Sequence, residues 1–131
     1  MVDGISWELR VSATAAPDQT IQASTQGFHL SLISSKKGAV RSNHYHLTDW
    51  HYMYVLSGSF DYYFRPTNSD KELQCVRVKA GEMVFTPPME DHATVFLEDC
   101  DLLAMSRNPR DQKAYEEDVR RVILIEPKDI N

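Results

Sequence analysis

The chain has 131 residues, 42% of them apolar and 25% charged, which fits one ordinary globular domain able to bury a core. Its net charge of −5 argues against a nucleic-acid partner, because phosphate binding runs on Lys and Arg; the one basic cluster, Lys36, Lys37 and Arg41, reads as a solvated edge. No apolar run reaches the roughly 18 residues of a membrane span, no signal peptide is expected, and two cysteines, Cys75 and Cys100, suggest no disulfide framework, so a cytoplasmic protein with no membrane partner is expected.

Taken in chain order, Ile5, Trp7, Leu9 and Val11 alternate with polar residues, the pattern of a half-buried strand. Residues 12–24 are small and polar around Pro17 and Asp18 and read as a surface connection. Phe28, Leu30 and Leu32 alternate again, and strands follow at 40–46, 51–56 and 60–65, separated by Ser57-Gly58 and then by Pro66 to Asp70. Further strands are predicted at 72–79, 83–86, 92–98 and 101–106. Only "PRDQKAYEEDVRR", 109–121, invites a helix, with Glu116, Glu117 and Asp118 as a solvated face, and "VILIE", 122–126, closes the chain as a last strand. Many short strands with regular turn signals predict one all-β barrel over 1–131, with at most a short C-terminal helix.

His44, His46 and His51 fall within eight positions. On a strand, residues i and i+2 share a face with α-carbons about 6–7 Å apart. The rings of His44 and His46 can therefore converge on one ion at about 2.0–2.1 Å. His51 follows "LTDW" and starts the neighbouring strand if that connection is a hairpin, while His92 arrives from a remote segment after "FTPPMED".

Gly38, five residues, His44, one residue, His46, four residues, His51, six residues and Gly58 together resemble the first cupin motif, with His51 where a glutamate usually stands. Gly81, Pro87, Met89, His92 and Phe96 resemble the second, with Met89 for the usual glycine and Phe96 for the usual asparagine. The motifs cover 38–58 and 81–96 and imply a double-stranded β-helix, or jelly-roll, barrel. The resemblance further implies that His44, His46 and His92 bind one divalent transition metal inside it. His51 is then either a fourth imidazole ligand or turned away from a three-histidine site. A cupin that has lost its metal is the alternative; against it, only His29 of the five histidines falls outside the ligand positions.

Imidazole suits Fe, Mn, Ni, Cu and Zn. Replacing the usual glutamate by a neutral ring keeps the full dipositive charge on the site and removes a carboxylate base. Proton transfer then falls to phenols, with Tyr62 as the candidate catalytic group. The expected substrate pocket combines Met53, Val84, Thr94 and Phe96 with Arg41, which can grip a carboxylate or phosphate. These features imply a metal-dependent enzyme with a small-molecule substrate, using dioxygenase-type or Lewis-acid isomerase or lyase chemistry. A sugar-nucleotide epimerase or isomerase of polysaccharide biosynthesis and a non-catalytic ligand-binding barrel are the alternatives. Outward Tyr45, Tyr52 and Tyr54, with the apolar strand at 5–11, predict a homodimer, since open edges and aromatic patches favour pairing. Packing of both features against 122–126 within one chain is the other outcome.

Overall fold

The computed structural model describes residues 20–25, 28–108 and 112–126. Along them run β1 (Thr20–Thr25), β2 (Phe28–Ser35), β3 (Val40–His46), β4 (His51–Ser57), β5 (Ser59–Pro66) and β6 (Gln74–Lys79). Then follow β7 (Met83–Thr86), β8 (Glu90–Phe96), β9 (Cys100–Ser106), α1 (Gln112–Asp118) and β10 (Val119–Arg121). All pairings are antiparallel, in two five-stranded sheets ordered β1-β2-β9-β4-β7 and β10-β3-β8-β5-β6. This is the all-β barrel expected from the strand pattern, in the jelly-roll form that the motif resemblance implies.

Strand alternation explains which residues meet inside. On β4, His51, Met53 and Val55 are buried while Tyr52, Tyr54 and Leu56 face outward. The core joins Ile33, Met53, Val55, Leu102 and Ala104 from the first sheet to Phe60, Tyr62, Val78 and Phe96 from the second. Fully burying a large apolar side chain stabilises by roughly 1.5–3 kcal/mol, so these residues hold the sheets face to face. Phe60 and Phe96 pack ring to ring at 5.5 Å beneath the histidines' end of the barrel wall.

The N-terminal strand expected at 5–11 lies outside the described residues. Two other expectations are corrected. Residues 20–24, read as connection, belong to β1, which among the described residues pairs with β2, Ile21 opposite Leu32. The Ser/Thr-rich "TIQAST" lacks apolar alternation and so carries a weak strand signal. At the other end, "VILIE" is not a strand: β10 stops at Arg121. The backbone of 124–125 is taken up by a side chain instead, because Asn43 Oδ1 accepts from the amides of Leu124 and Ile125, and Asn43 Nδ2 donates to the Ile125 carbonyl. The helix expected within 109–121 is present, limited to α1. Tyr45 sits on β3 in the sheet opposite to that of Tyr52 and Tyr54, so the three tyrosines do not form one face.

Motif glycines mark the turns. Gly58 has φ +82°, and a Cβ there would run into the Asp99 carbonyl oxygen and come within 2.9 Å of the Cys100 α-carbon, both backbone atoms that cannot step aside. Gly58→Ala is therefore expected to cost at least about 2 kcal/mol, from left-handed strain plus the clash. Urea unfolding measures this, and a loss under about 0.5 kcal/mol would contradict the packing described.

Candidate metal centre

β3 is not a regular strand. Ser42 and Asn43 have φ of +72° and +55°, and the pairing with β8 shifts between Ser42 and His44. Asn43 is the extra residue of a β-bulge, a conformation that Asn tolerates better than most side chains. Before the bulge Arg41 pairs with Thr94; after it His44 pairs with His92. Strict alternation would send Arg41 and His44 to opposite faces. With the bulge, both line the barrel interior.

His44, His46 and His92 are buried, and one ring nitrogen from each lies within 4.8 Å of the others. The His44 ring centroid is 4.8 Å from that of His46 and 4.7 Å from that of His92. Nitrogens bound to one ion at about 2.0–2.1 Å lie up to roughly 4.2 Å apart, so small ring rotations close the group on a shared ion.

Hydrogen bonds orient two of these rings. His92 Nδ1 lies 2.9 Å from the Glu90 carbonyl oxygen, which can only accept. The proton therefore sits on Nδ1, and Nε2, buried and with no hydrogen-bond partner, offers its lone pair inward. Burial, reinforced by neighbouring His46, pushes His92 down to about 4, so it is neutral near pH 7. His46 Nδ1 faces Asp118 Oδ2 at 3.3 Å, so Nε2 would be the atom it offers to an ion. A buried His92 nitrogen with no hydrogen-bond partner, among three further imidazoles, fits the donor set of a divalent transition metal.

His51 approaches from the opposite sheet. Its ring centroid is 5.4 Å from those of His46 and His92, and it lines the same cavity, but it stands outside the group of three. The cavity measures about 100 Å³ and is also walled by Arg41, Ser42, Thr94, Met53, Phe96 and Leu102. Of the residues expected to line the pocket, Arg41, Met53, Thr94 and Phe96 do so. Val84 does not; it lies on β7 beside Met53 and packs against the core.

Tyr62 is likewise absent from the cavity wall. It is almost fully buried, stacks near His92 with ring centroids 6.1 Å apart, donates to Glu90 Oε1 and meets Thr86 Oγ1, each at 2.7 Å. Burial pushes its phenol far above the ordinary value and also raises Glu90. Its position is that of a support behind His92, through the residue whose carbonyl fixes that ring.

A second cluster, His46, Asp49 and Asp118, escaped the sequence reading. The solvated helical face expected at 116–118 does not include Asp118, which is buried. Burial opposes its ionisation, but the Thr48 hydroxyl and amide, the Asp49 amide and His46 outweigh this and hold it below its ordinary value. Burial pushes Asp49 up against the hydrogen bond from the Asn108 amide. Nothing in "EED" distinguishes the buried aspartate from its exposed neighbours, Glu116 and Glu117.

No protein-family model matches the sequence, and no curated protein matches it. Among solved structures the chain is similar to CapF, a capsular polysaccharide assembling protein from Staphylococcus aureus, with TM-score 0.62 and 23% identity over 81% of this chain and 35% of that one. It is also similar to oxalate decarboxylase from Bacillus subtilis, a protein with Mn(II) centres, with TM-score 0.62 and 17% identity over 75% of this chain and 28% of that one. The chain thus spans about a third of the length of these proteins. It has the cupin fold. Within this fold the two motif segments supply β3, β4, β7 and β8, of which β3, β4 and β8 carry the four histidines and part of the cavity wall, while β2 and β9 add Ile33, Leu102 and Ala104. Met89, at the motif's usual glycine position, keeps the positive φ of +59° that a glycine would supply.

Because Tyr62 lies outside the cavity, Tyr62→Phe is expected to lower stability by about 1–3 kcal/mol, from the unpaired Glu90 and Thr86 groups, without changing metal content. Thermal melts and elemental analysis check this. Loss of turnover in a folded, fully loaded Tyr62→Phe variant would return Tyr62 to the chemistry.

Proposed function

We propose that this cupin is a mononuclear metal-dependent enzyme acting on a small organic acid, with dioxygenase-type chemistry. The reading is carried by the convergence of His44, His46 and His92 on a cavity of about 100 Å³ that also presents Arg41. His51, reaching from the opposite sheet, is the proposed fourth ligand. A bound divalent metal supplies Lewis acidity and, where it is redox-active, a site for dioxygen. Arg41 pairs with the substrate's carboxylate, while Ile33, Met53, Phe96 and Leu102 exclude water around it. No aspartate, glutamate or tyrosine lines the cavity among the described residues, which disfavours isomerase or lyase routes that need a strong side-chain base.

Likeness to CapF favours the second reading, a sugar-nucleotide epimerase or isomerase. Ligand pockets usually span about 300–1,000 Å³. The smaller volume here admits at most part of a nucleotide sugar and supports the smaller substrate.

Among the described residues no helix is long and apolar enough to cross a membrane. Both cysteines are free thiols, consistent with the reducing cytoplasm we propose as its location.

Protein purified anaerobically without chelators and reloaded with Fe, Mn, Ni, Cu or Zn is expected to hold about one ion per chain. His44→Ala, His46→Ala and His92→Ala should each abolish tight binding, and His51→Ala should weaken it. Equal affinity in His51→Ala leaves a three-histidine site. Oxygen uptake with small mono- and dicarboxylates separates the oxygenase from the alternatives: metal without uptake on any of them, but with binding or epimerisation of a sugar nucleotide, overturns the proposal.

We also infer a homodimer through the β4–β7 edge. Tyr52, Tyr54, Met83 and Phe85 are 36%, 36%, 54% and 44% exposed there, and Phe85 of β7, the edge strand among the described residues, forms one aromatic cluster with Tyr52 of β4 and Trp50 just before it. A second copy covers both the open edge and the rings. Light scattering at micromolar concentration is expected to give about twice the 15.0 kDa chain mass; a single-chain mass rules the dimer out.

A further inference from the structure

Asp118 ends α1, where a carboxylate is disfavoured by the helix dipole, so its position has another cause. Its side chain accepts from His46 Nδ1 at 3.3 Å, the Thr48 amide at 2.8 Å, the Thr48 hydroxyl at 2.6 Å and the Asp49 amide at 3.1 Å. Its carbonyl accepts from the Leu47 amide at 2.9 Å. One residue thereby holds four consecutive residues, 46 to 49, of the connection between the ligand strands β3 and β4.

The chain beyond it continues along the same strand. β10 pairs Val119 with His46 and Arg121 with His44, the Val122 amide donates to the Asn43 carbonyl, and the Asn43 side chain takes the backbone of 124–125. Residues 118–125 therefore follow β3 from His46 back to the bulge.

We propose that Asp118 is a positioning residue of the metal centre: it holds His46 with the proton on Nδ1 and Nε2 toward the ion, and so couples metal binding to docking of residues 118–125. The inference rests on reading His44, His46 and His92 as metal ligands. A carboxylate behind a ligating imidazole fixes its tautomer and raises its basicity, and losing such a partner typically costs about 10–100-fold in metal affinity. By linkage, an ion that binds more tightly to the docked arrangement also stabilises that docking.

The test titrates full-length protein with Zn(II) against a chelator and records the ligand-field spectrum with Co(II). Asp118→Asn is expected to lose about 10–100-fold in affinity and to shift the Co(II) bands, with Asp118→Glu recovering part of both. Gly58→Ala, destabilised far from the site, should retain affinity within about threefold and keep the wild-type spectrum. Hydrogen exchange at the amides of Val122 and Leu124 should slow on adding Zn(II) to the wild type, and slow less in Asp118→Asn. If Asp118→Asn does not fold, Thr48→Val removes one donor to the same carboxylate and should give a severalfold loss with the same spectral shift. Wild-type metal binding together with unchanged affinity and spectrum in the folded variant overturns the inference alone. Wild-type protein that takes up neither metal overturns the metal reading and this inference with it.

Discussion

The bulge at Asn43 is the constraint on which the interior depends. A strand with strict alternation can present a histidine pair or Arg41 to the barrel's inside, but not both with the spacing found here. Two consecutive residues with positive φ shift the pairing so that Arg41 opposite Thr94 and His44 opposite His92 share one cavity. Holding Ser42 in the left-handed region costs of order 1–3 kcal/mol. The bulge offsets part of that by turning the Asn43 side chain onto the backbone of 124–125, where it satisfies three polar groups that would otherwise need another strand.

Burying four imidazoles poses a second problem, which the surrounding hydrogen bonds make sharper. His46 and His92 have their Nδ1 protons committed outward, to Asp118 and to the Glu90 carbonyl. His92 Nε2 is buried with no hydrogen-bond partner, and its desolvated ring resists protonation, so charge does not satisfy it. A bound cation would. The apolar half of the interior, with Val55 and Phe60 wholly buried, supplies the stability that lets the other half remain so polar.

Most of the barrel was legible because its strands obey a local rule: alternation placed His51, Met53 and Val55 inward and Tyr52 and Tyr54 outward, as the burial of β4 shows. The histidines were legible for a different reason, their motif spacing. What stayed hidden depends on long-range contacts. Arg41 reached the pocket through a bulge that parity does not encode, and Thr20–Thr25 is a strand only because β2 offers an open edge. Asp118 looks like any other acid in "EED" until the chain folds back and sets it against residues 46–49, which lie about 70 positions earlier. The apolar run "VILIE" misled for the converse reason: its composition favours a strand, but a side-chain amide had already taken its backbone.

On the proposed reading, Arg41 would set the sign of what the cavity accepts. Among the described residues it is, apart from the histidines, the one ionisable side chain in the wall, which Ile33, Met53, Phe96, Leu102 and Ala104 otherwise line with apolar surface. An ion pair formed there is stronger than the same pair in water. The discrimination is also asymmetric. A carboxylate there would form charge-assisted hydrogen bonds with the guanidinium that a neutral ligand of equal size would not. Sites built to pair a polar group reject analogues lacking it far more strongly than apolar pockets reject a change in bulk. On the proposed reading, a small ligand whose carboxylate engages Arg41 would lie in the same cavity as the imidazoles, so binding energy from the carboxylate would be spent on placing the rest of the molecule at the metal centre.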